Sequence, residues 1–281
     1  MIHMNTIRLI AFDLDGTFLD SCKNIPEENI RAIECAAQMG IHIVPATGRL
    51  YTGLPAVLRE LPCIRYYILI NGALVYDAAE DKVLLSAELS NDLALSIFSH
   101  GDAVHALYDC YLNNQGLMTR SMYDALDAFV PDKHYLSYMR SIRQPVDDLS
   151  ALVRTDGGTV QKVQYFFTDM EERARQLELL PKLFPGVKAT SSMPMNIEIN
   201  SANASKGPAL SFLCSYLGFS DENALAFGDG TNDLDMLLAA GTGVAMKNSD
   251  EKLFSAADLI TEEDNNAAGV GKTILKLLEH A

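Results

Sequence analysis

The chain has 281 residues, a length at which a single hydrophobic core stops growing and a second domain becomes common. Its composition, 48% hydrophobic and 21% charged, is typical of a soluble globular protein, and no apolar run approaches the roughly 20 residues that cross a bilayer. The formal net charge of −15 argues against nucleic acid as a partner, because a duplex binder needs a basic face.

The cysteines and the first residues of the chain indicate its cellular environment. The five cysteines are widely spaced and form no Cys-x-x-Cys pair, so neither a disulfide framework nor a zinc site is predicted. The first residues contain neither the basic segment nor the separate apolar segment of a secretory signal. We therefore expect a cytoplasmic protein without a membrane partner. The sequence does not indicate the oligomeric state.

Short apolar runs alternate with helical patterns at the beginning of the chain and again near its end. Strands separated by helices predict right-handed βαβ units and a doubly wound parallel sheet, whose strands are apolar along their length because both faces are covered. The predicted strands are 7–12, 41–45, 67–70, 224–227, 243–246 and 259–260. The predicted helices are 26–39, a stretch through about residue 61, 205–217, 233–240 and 269–280.

The middle of the chain has a different pattern, in which apolar and polar residues alternate. Such alternation is typical of an antiparallel sheet with one solvated face. The predicted elements are strands 103–108, 160–167, 187–190 and 196–199, helices 91–100 and 170–184, and polar loops 113–116, 131–133 and 156–158. We therefore predict an α/β fold, with a doubly wound core formed by residues 1–82 and 194–281 and an inserted α+β domain formed by residues 83–193.

Two carboxylates, Asp13 and Asp15, directly follow the first predicted strand. Residues two apart in extended chain point to the same side, so both can face one reacting centre. A carboxylate nucleophile would divide the slow hydrolysis of a phosphate ester into two displacements, and the second carboxyl would protonate the leaving alcohol and then activate water. This role requires a protonated Asp15 beside an ionised Asp13. The alternative is an Asx turn at Asp15-Gly16.

Two further motifs suit the binding of phosphate. Thr47-Gly48-Arg49 follows the second strand, where a hydroxyl and a backbone N–H can bind phosphate oxygens, although an N-cap threonine is the alternative. Lys206 begins a predicted helix, where the helix dipole disfavours a cation unless an anion is bound. The alternative for Lys206 is a solvent-facing side chain. Asn71-Gly72-Ala73 ends the third strand and is a weaker motif that also suits a simple turn.

The segment Gly228 to Asp233 follows a strand and suits a metal ion. Two carboxylates, Asp229 and Asp233, and the Asn232 amide are ligands for a hard, oxygen-seeking cation, and magnesium needs few protein ligands. Such a cation would make an acidic site acceptable to phosphate. The alternative is a polar loop in which Asp233 caps the next helix.

In this order the motifs resemble those of the haloacid dehalogenase (HAD) superfamily of phosphatases, and the large insertion resembles the Cof-type subfamily IIB with a cap of type C2B. The motifs are DxDGT at 13–17, TGR at 47–49, NGA at 71–73, SKG at 205–207 and GDGxND at 228–233. The resemblance implies that Asp13 is the nucleophile and Asp15 the general acid and base. It also implies a set of phosphate ligands, namely Thr47, Gly48, Lys206 and Asn232.

The resemblance implies Mg2+ as the cofactor, held by the Asp13 carboxylate, the Asp15 backbone carbonyl and the Asp229 carboxylate. Asp233 would complete the metal site by orienting a metal-bound water or Lys206. We further predict that two residues at the border of the phosphate site, Arg49 and Asn71, contact the substrate.

The implied function is hydrolysis of small phosphomonoesters, such as sugar phosphates or cofactor phosphates, by a Mg2+-dependent phosphatase. Two alternatives remain: a phosphomutase-like phosphoryl transferase, which shares the cap type, and a non-catalytic regulator that carries a phosphorylated aspartate. Asp15 and the large insertion argue against the regulator. In this family substrates are chosen by the cap, whose sequence here does not indicate which substrate that is.

Overall fold

The computed structural model describes residues 6–155, 159–191 and 193–279. The predicted loop at 156–158 and the predicted last residue of the C-terminal helix, His280, lie outside these ranges. No helix in the described ranges is both long enough and apolar enough to span a membrane.

The described residues form fourteen β-strands and twelve α-helices. The strands are β1 (Leu9–Phe12), β2 (His42–Pro45), β3 (Tyr66–Leu69), β4 (Leu74–Asp77), β5 (Lys82–Ser86), β6 (Leu107–Leu112), β7 (Gln115–Thr119), β8 (Arg143–Val146), β9 (Val160–Phe166), β10 (Val187–Thr190), β11 (Asn196–Ser201), β12 (Ala224–Gly228), β13 (Thr242–Ala245) and β14 (Leu259–Ile260). The helices are α1 (Glu27–Gln38), α2 (Ala56–Glu60), α3 (Asn91–Ala103), α4 (Arg120–Asp124), α5 (Leu126–Phe129), α6 (Lys133–Ser141), α7 (Leu149–Thr155), α8 (Met170–Leu183), α9 (Lys206–Leu217), α10 (Leu234–Ala239), α11 (Glu251–Phe254) and α12 (Gly269–Leu278).

The chain divides into two compact units. The first contains the described residues up to Arg49, Leu54–Leu85 and the described residues from Ser205 onward, and the second contains Leu50–Gly53 and the described part of Ser86–Ala204. This division differs from the predicted boundary after residue 193, because β11 pairs with β9 and β10 and so belongs to the second unit.

The first unit is built on a five-stranded parallel sheet with the order β14-β13-β12-β1-β2. The interior strand β1 is buried along its whole length, as expected of a strand covered on both faces, and α9 and α10 contribute to the core on one face. This arrangement confirms the predicted doubly wound sheet. The third predicted strand differs: β3 pairs antiparallel with β4 in a separate three-stranded sheet of order β3-β4-β5, and isolated parallel bridges join its region to that of β2.

The second unit is built on a six-stranded sheet with the order β10-β11-β9-β6-β7-β8, antiparallel except for the β7–β8 pair. One face packs on an apolar core to which α3, α7 and α8 contribute. The predicted strand at 103–108 is wrong at its start, because Ala103 still belongs to α3 and β6 begins at Leu107. The backbone N–H of Val104 donates to the His100 carbonyl and so continues the helical bonding into the predicted strand.

The other face of this second sheet carries polar side chains in its central strands, and they are buried. Asp109, Lys162 and Glu198 lie on β6, β9 and β11, and their side chains are almost wholly inaccessible to solvent. Asp109 pairs with Arg143 of β8, and Lys162 pairs with Glu198 at 3.2 Å. The prediction of a solvated face is therefore wrong for the central strands.

Candidate active site

The predicted site residues converge at one edge of the parallel sheet in the first unit. Asp13 follows β1, Thr47 lies just after β2, and Asp229 directly follows β12. Because β1 pairs in parallel with both β2 and β12, the carboxyl ends of the three strands meet at the same edge. Lys206, the first residue of α9, reaches the same place.

Lys206 joins two of the predicted carboxylates. Its Nζ donates hydrogen bonds of 2.6 Å to Asp13 Oδ1 and 2.6 Å to Asp233 Oδ1. The lysine side chain is fully buried, which excludes the solvent-facing alternative. Burial by itself would lower the pKa of Lys206, but the neighbouring carboxylates outweigh it and raise that pKa above its usual value, so the lysine is charged.

Asp233 also holds the loop that follows β12. Its Oδ2 accepts hydrogen bonds of 3.0 Å from the backbone N–H groups of Asp229 and Gly230. Both oxygens of Asp233 are therefore engaged, one with this loop and the other with Lys206. Thr17 fixes the loop from the other side, since its hydroxyl donates to Asp229 Oδ1 at 2.7 Å.

The carboxylates fit a divalent cation. Asp13, Asp229 and Asp233 each offer an oxygen, and these oxygens lie within 4.8 Å of one another. Burial raises the pKa of Asp13 well above its usual value and that of Asp229 to about 6. The charges of the neighbouring carboxylates raise both pKa values further, and the Lys206 ammonium offsets these effects only in part. An all-oxygen donor set with excess negative charge suits a hard cation such as Mg2+.

Asp15 lies apart from this cluster and is paired with two cations. Arg49 donates to it from Nε at 2.8 Å and from Nη2 at 2.6 Å, and Lys23 Nζ donates at 2.8 Å. Burial favours a raised pKa, but the hydrogen bonds and charges of Arg49 and Lys23 outweigh it and lower the pKa of Asp15 to about 2. In this state the Asp15 carboxyl is therefore ionised and not in the protonated form that its role as an acid requires, because these cations stabilise the carboxylate.

Lys23, which binds Asp15 beside the candidate site, is a residue that the sequence analysis missed. It belongs to none of the motifs, and the only signal is a basic residue in the loop that follows the acidic motif. Arg49, predicted to contact substrate, donates hydrogen bonds to Asp15 from its side chain and to the Thr47 hydroxyl from its backbone N–H at 3.2 Å.

The remaining predicted residues surround Asn71. Its backbone N–H donates to the Thr47 carbonyl at 2.9 Å, and its Oδ1 accepts a long hydrogen bond of 3.4 Å from Asn232 Nδ2. Gly48 lies beside the same side chain, since a Cβ added at Gly48 would be 2.8 Å from Asn71 Oδ1. The structure thus brings three of the predicted phosphate ligands, Thr47, Gly48 and Asn232, together around Asn71.

Comparison with known proteins identifies the family of this chain. The haloacid dehalogenase-like hydrolase family matches residues 10–274. The chain belongs to this family. This match confirms the resemblance drawn from the motifs.

Three similar proteins illustrate the relationship. The 5-amino-6-(5-phospho-D-ribitylamino)uracil phosphatase YcsE of Bacillus subtilis is 29% identical over 274 residues, which cover 95% of this chain and 94% of that protein. A haloacid dehalogenase-like hydrolase from Bacteroides thetaiotaomicron is 25% identical with a TM-score of 0.82, over 96% of this chain and 99% of that one. The HAD subclass IIB sugar phosphatase BT4131 shares the fold, with 22% identity, a TM-score of 0.77 and coverage of 96% and 98%.

These relationships establish the general activity. The chain is an enzyme, a phosphatase of the haloacid dehalogenase-like hydrolases that acts on phosphate esters. The buried cluster at the carboxyl ends of β1 and β12 is the candidate for its active site.

Proposed function

We propose that this protein is a Mg2+-dependent phosphatase that hydrolyses small phosphomonoesters through an aspartyl-phosphate at Asp13. The observation that carries the proposal is the buried Asp13–Lys206–Asp233 triad beside Asp229. It combines a carboxylate nucleophile with a fixed cation and an oxygen-rich metal site, which together are what phosphoryl transfer requires.

The reaction proceeds in two successive displacements at phosphorus. An Asp13 carboxylate oxygen attacks phosphorus, the bond from phosphorus to the alcohol oxygen breaks, and Asp15 gives the alcohol its proton. Water then attacks the aspartyl-phosphate, Asp15 accepts a proton from it, and inorganic phosphate leaves a free Asp13. Lys206, held in place by Asp233, stabilises the charge on the phosphoryl oxygens.

The phosphoryl group is bound by further residues of the first unit. We assign this role to the Thr47 hydroxyl, the Gly48 backbone N–H and the Asn232 amide, which lie on the loops after β2 and β12. Thr47 is buried and accepts a hydrogen bond from the Arg49 backbone N–H, so its hydroxyl is fixed in direction. Direct contacts of Arg49 and Asn71 with the substrate stay predictions.

Asp15 must change partners before it can act as an acid. Its carboxylate is paired with Arg49 and Lys23, and these hydrogen bonds stabilise the ionised form. Proton donation to the leaving alcohol therefore requires that both cations release Asp15. In the second displacement the ionised carboxylate is already the form that a general base needs.

The carboxylates of Asp13 and Asp229 and the backbone carbonyl of Asp15 are the ligands that we assign to Mg2+, and Asp233 supports them by holding Lys206 and the loop after β12. When bound, the ion compensates the charge of the carboxylates and of the phosphoryl oxygens.

For the substrate we propose a sugar phosphate or a cofactor phosphate. The name of the Bacillus subtilis relative, a phosphatase for a ribitylamino-uracil phosphate, supports a small phosphorylated metabolite. We propose that the parallel-sheet core, predicted as 1–82 and 194–281, carries the catalytic residues and that the inserted domain, predicted as 83–193, selects the substrate. The cytoplasmic location stays a prediction.

The test is a phosphatase assay with p-nitrophenyl phosphate and a panel of sugar, cofactor and nucleotide monophosphates, with Mg2+ or with a chelator. We expect release of inorganic phosphate that requires Mg2+ and is abolished by Asp13→Asn. An isomerised sugar phosphate in place of free phosphate would favour the phosphomutase. A phosphorylated Asp13 that lasts for hours would favour the regulator, and activity equal in the wild type and the Asp13→Asn variant would refute a role for Asp13.

A further inference from the structure

A turn of unusual backbone conformation lies directly after β3. Ile70, Asn71 and Gly72 have φ values of 54°, 57° and 85°, so three consecutive residues adopt the left-handed region. A β-branched residue such as isoleucine is rarely found there, because its Cβ crowds the backbone. Such strain persists only where the surrounding structure holds the segment in place.

Backbone contacts hold this turn to two segments of the site. The Ile70 N–H donates to the Arg49 carbonyl at 3.1 Å, and the Asn71 N–H donates to the Thr47 carbonyl at 2.9 Å. Gly72 packs so closely against the start of α9 that an added Cβ would be 2.2 Å from the Ser205 carbonyl oxygen. The turn is therefore fixed between the segment that carries Thr47 and the residue that precedes Lys206.

The Asn71 side chain connects the turn to a third segment. It is mostly buried, and its Oδ1 accepts the hydrogen bond from Asn232 Nδ2. The three heavy atoms nearest to a Cβ added at Gly48 all belong to Asn71, the closest being Oδ1 at 2.8 Å. Because Gly48 has no side chain, the Asn71 side chain can occupy the space beside it.

We propose that Asn71 is a positioning residue, which sets Thr47-Gly48 against Asn232 and so shapes the phosphoryl site without contacting the leaving group. The inference rests on the proposed function, because it concerns the site that would bind the phosphoryl group. It is an alternative to the prediction that Asn71 contacts the substrate directly.

Asparagine is suited to this role for two reasons. It adopts the left-handed conformation more readily than other non-glycine residues, which lessens the strain of the turn. Its amide accepts a hydrogen bond without adding charge, whereas a carboxylate would repel a phosphate and add to the negative charge of the neighbouring acidic cluster.

The test compares Asn71→Gly with the wild type. Glycine accepts the left-handed backbone, so this variant removes the side chain and keeps the turn. We expect kcat/KM to fall by about 10-fold, as for the loss of a hydrogen bond and of the alignment it maintains, with most of the loss in kcat. The loss should be equal for p-nitrophenyl phosphate and for a sugar phosphate, since the alcohol is not contacted.

Two double-mutant cycles test the contacts of Asn71 with Asn232 and with Gly48. Asn71→Gly combined with Asn232→Ala should be no worse than the more impaired single variant, since both substitutions break the same connection. Gly48→Ala should impair the wild type strongly and the Asn71→Gly protein much less, because the side chain that the new methyl group meets is then gone. Circular dichroism and the thermal midpoint serve as controls for folding.

The outcomes separate the inference from the proposed function. An inactive wild-type protein would refute the proposed function. An active wild type with an Asn71→Gly variant of equal activity, a loss that depends on the alcohol, or additive losses in either cycle would overturn the inference alone.

Discussion

Replacing Lys206 by methionine removes the cation that joins the carboxylates of the site. The lysine Nζ lies 2.6 Å from both Asp13 Oδ1 and Asp233 Oδ1, and its side chain and those of its partners are nearly or fully buried. Methionine fills much of the same volume but leaves these carboxylates without their shared cation. Because removing one partner of a buried ion pair costs about 3–5 kcal/mol, the free energy of unfolding should fall by that amount.

The same substitution should nearly abolish catalysis. Lys206 is the charged donor that we assign to the phosphoryl oxygens, and loss of one such donor lowers kcat by about 10²–10³-fold. Urea unfolding followed by circular dichroism measures the stability, and phosphate release measures kcat. Lys272→Met is the matched control, because this lysine is exposed on α12 and should change the stability by no more than about 0.5 kcal/mol. A Lys206→Met protein as stable as this control, or with kcat within threefold of the wild type, would refute the reasoning.

Three further predictions concern the metal, the nucleophile and the second unit. Mg2+ at 100 times its dissociation constant should stabilise the wild type by about 2.7 kcal/mol in thermal unfolding, and Asp229→Asn should remove most of this gain; equal gains in both proteins would contradict the assigned ligand. Asp13→Asn should release no phosphate yet remain folded, and turnover at the wild-type rate would exclude Asp13 as the nucleophile. Arg143→Met should lower the free energy of unfolding by about 3–5 kcal/mol, because Asp109 is left buried without its partner, and adding Asp109→Asn should restore part of the loss; an unchanged stability would show that the pair is not needed.

The sequence predicted the architecture and the convergence of the motif residues, because both depend on local patterns. Apolar strands followed at once by polar motifs identify residues at the carboxyl ends of parallel strands, and strand pairing then brings Asp13, Thr47 and Asp229 together. Lys206 was predictable for the same reason, since a cation at the start of a helix is unfavourable without an anion nearby.

Contacts between distant side chains were not predictable from such patterns. Lys23 and Arg49 pair with Asp15 through the folded arrangement of separate loops, and no periodicity in the sequence reports that arrangement. The stabilisation of the ionised Asp15 carboxylate by these two cations was therefore missed.

The second unit shows the other limit of sequence patterns. Alternation of polar and apolar residues in β6 and β9 correctly indicated a sheet with one apolar face, but it reports only polarity and not what covers the polar side. The burial of Asp109 and Lys162 is tolerated because each has a partner of opposite charge, and the identity of a partner on another strand is a property of the fold.

The central claim, an aspartyl-phosphate at Asp13, is tested most directly by trapping the intermediate. Enzyme mixed with substrate and Mg2+ is quenched in acid within milliseconds, digested, and analysed by mass spectrometry. The account predicts one added phosphoryl group on the peptide that contains Asp13 in the wild type and none in Asp13→Asn. A phosphoryl group on another residue, or turnover with no phosphorylated peptide at any quench time, would contradict it.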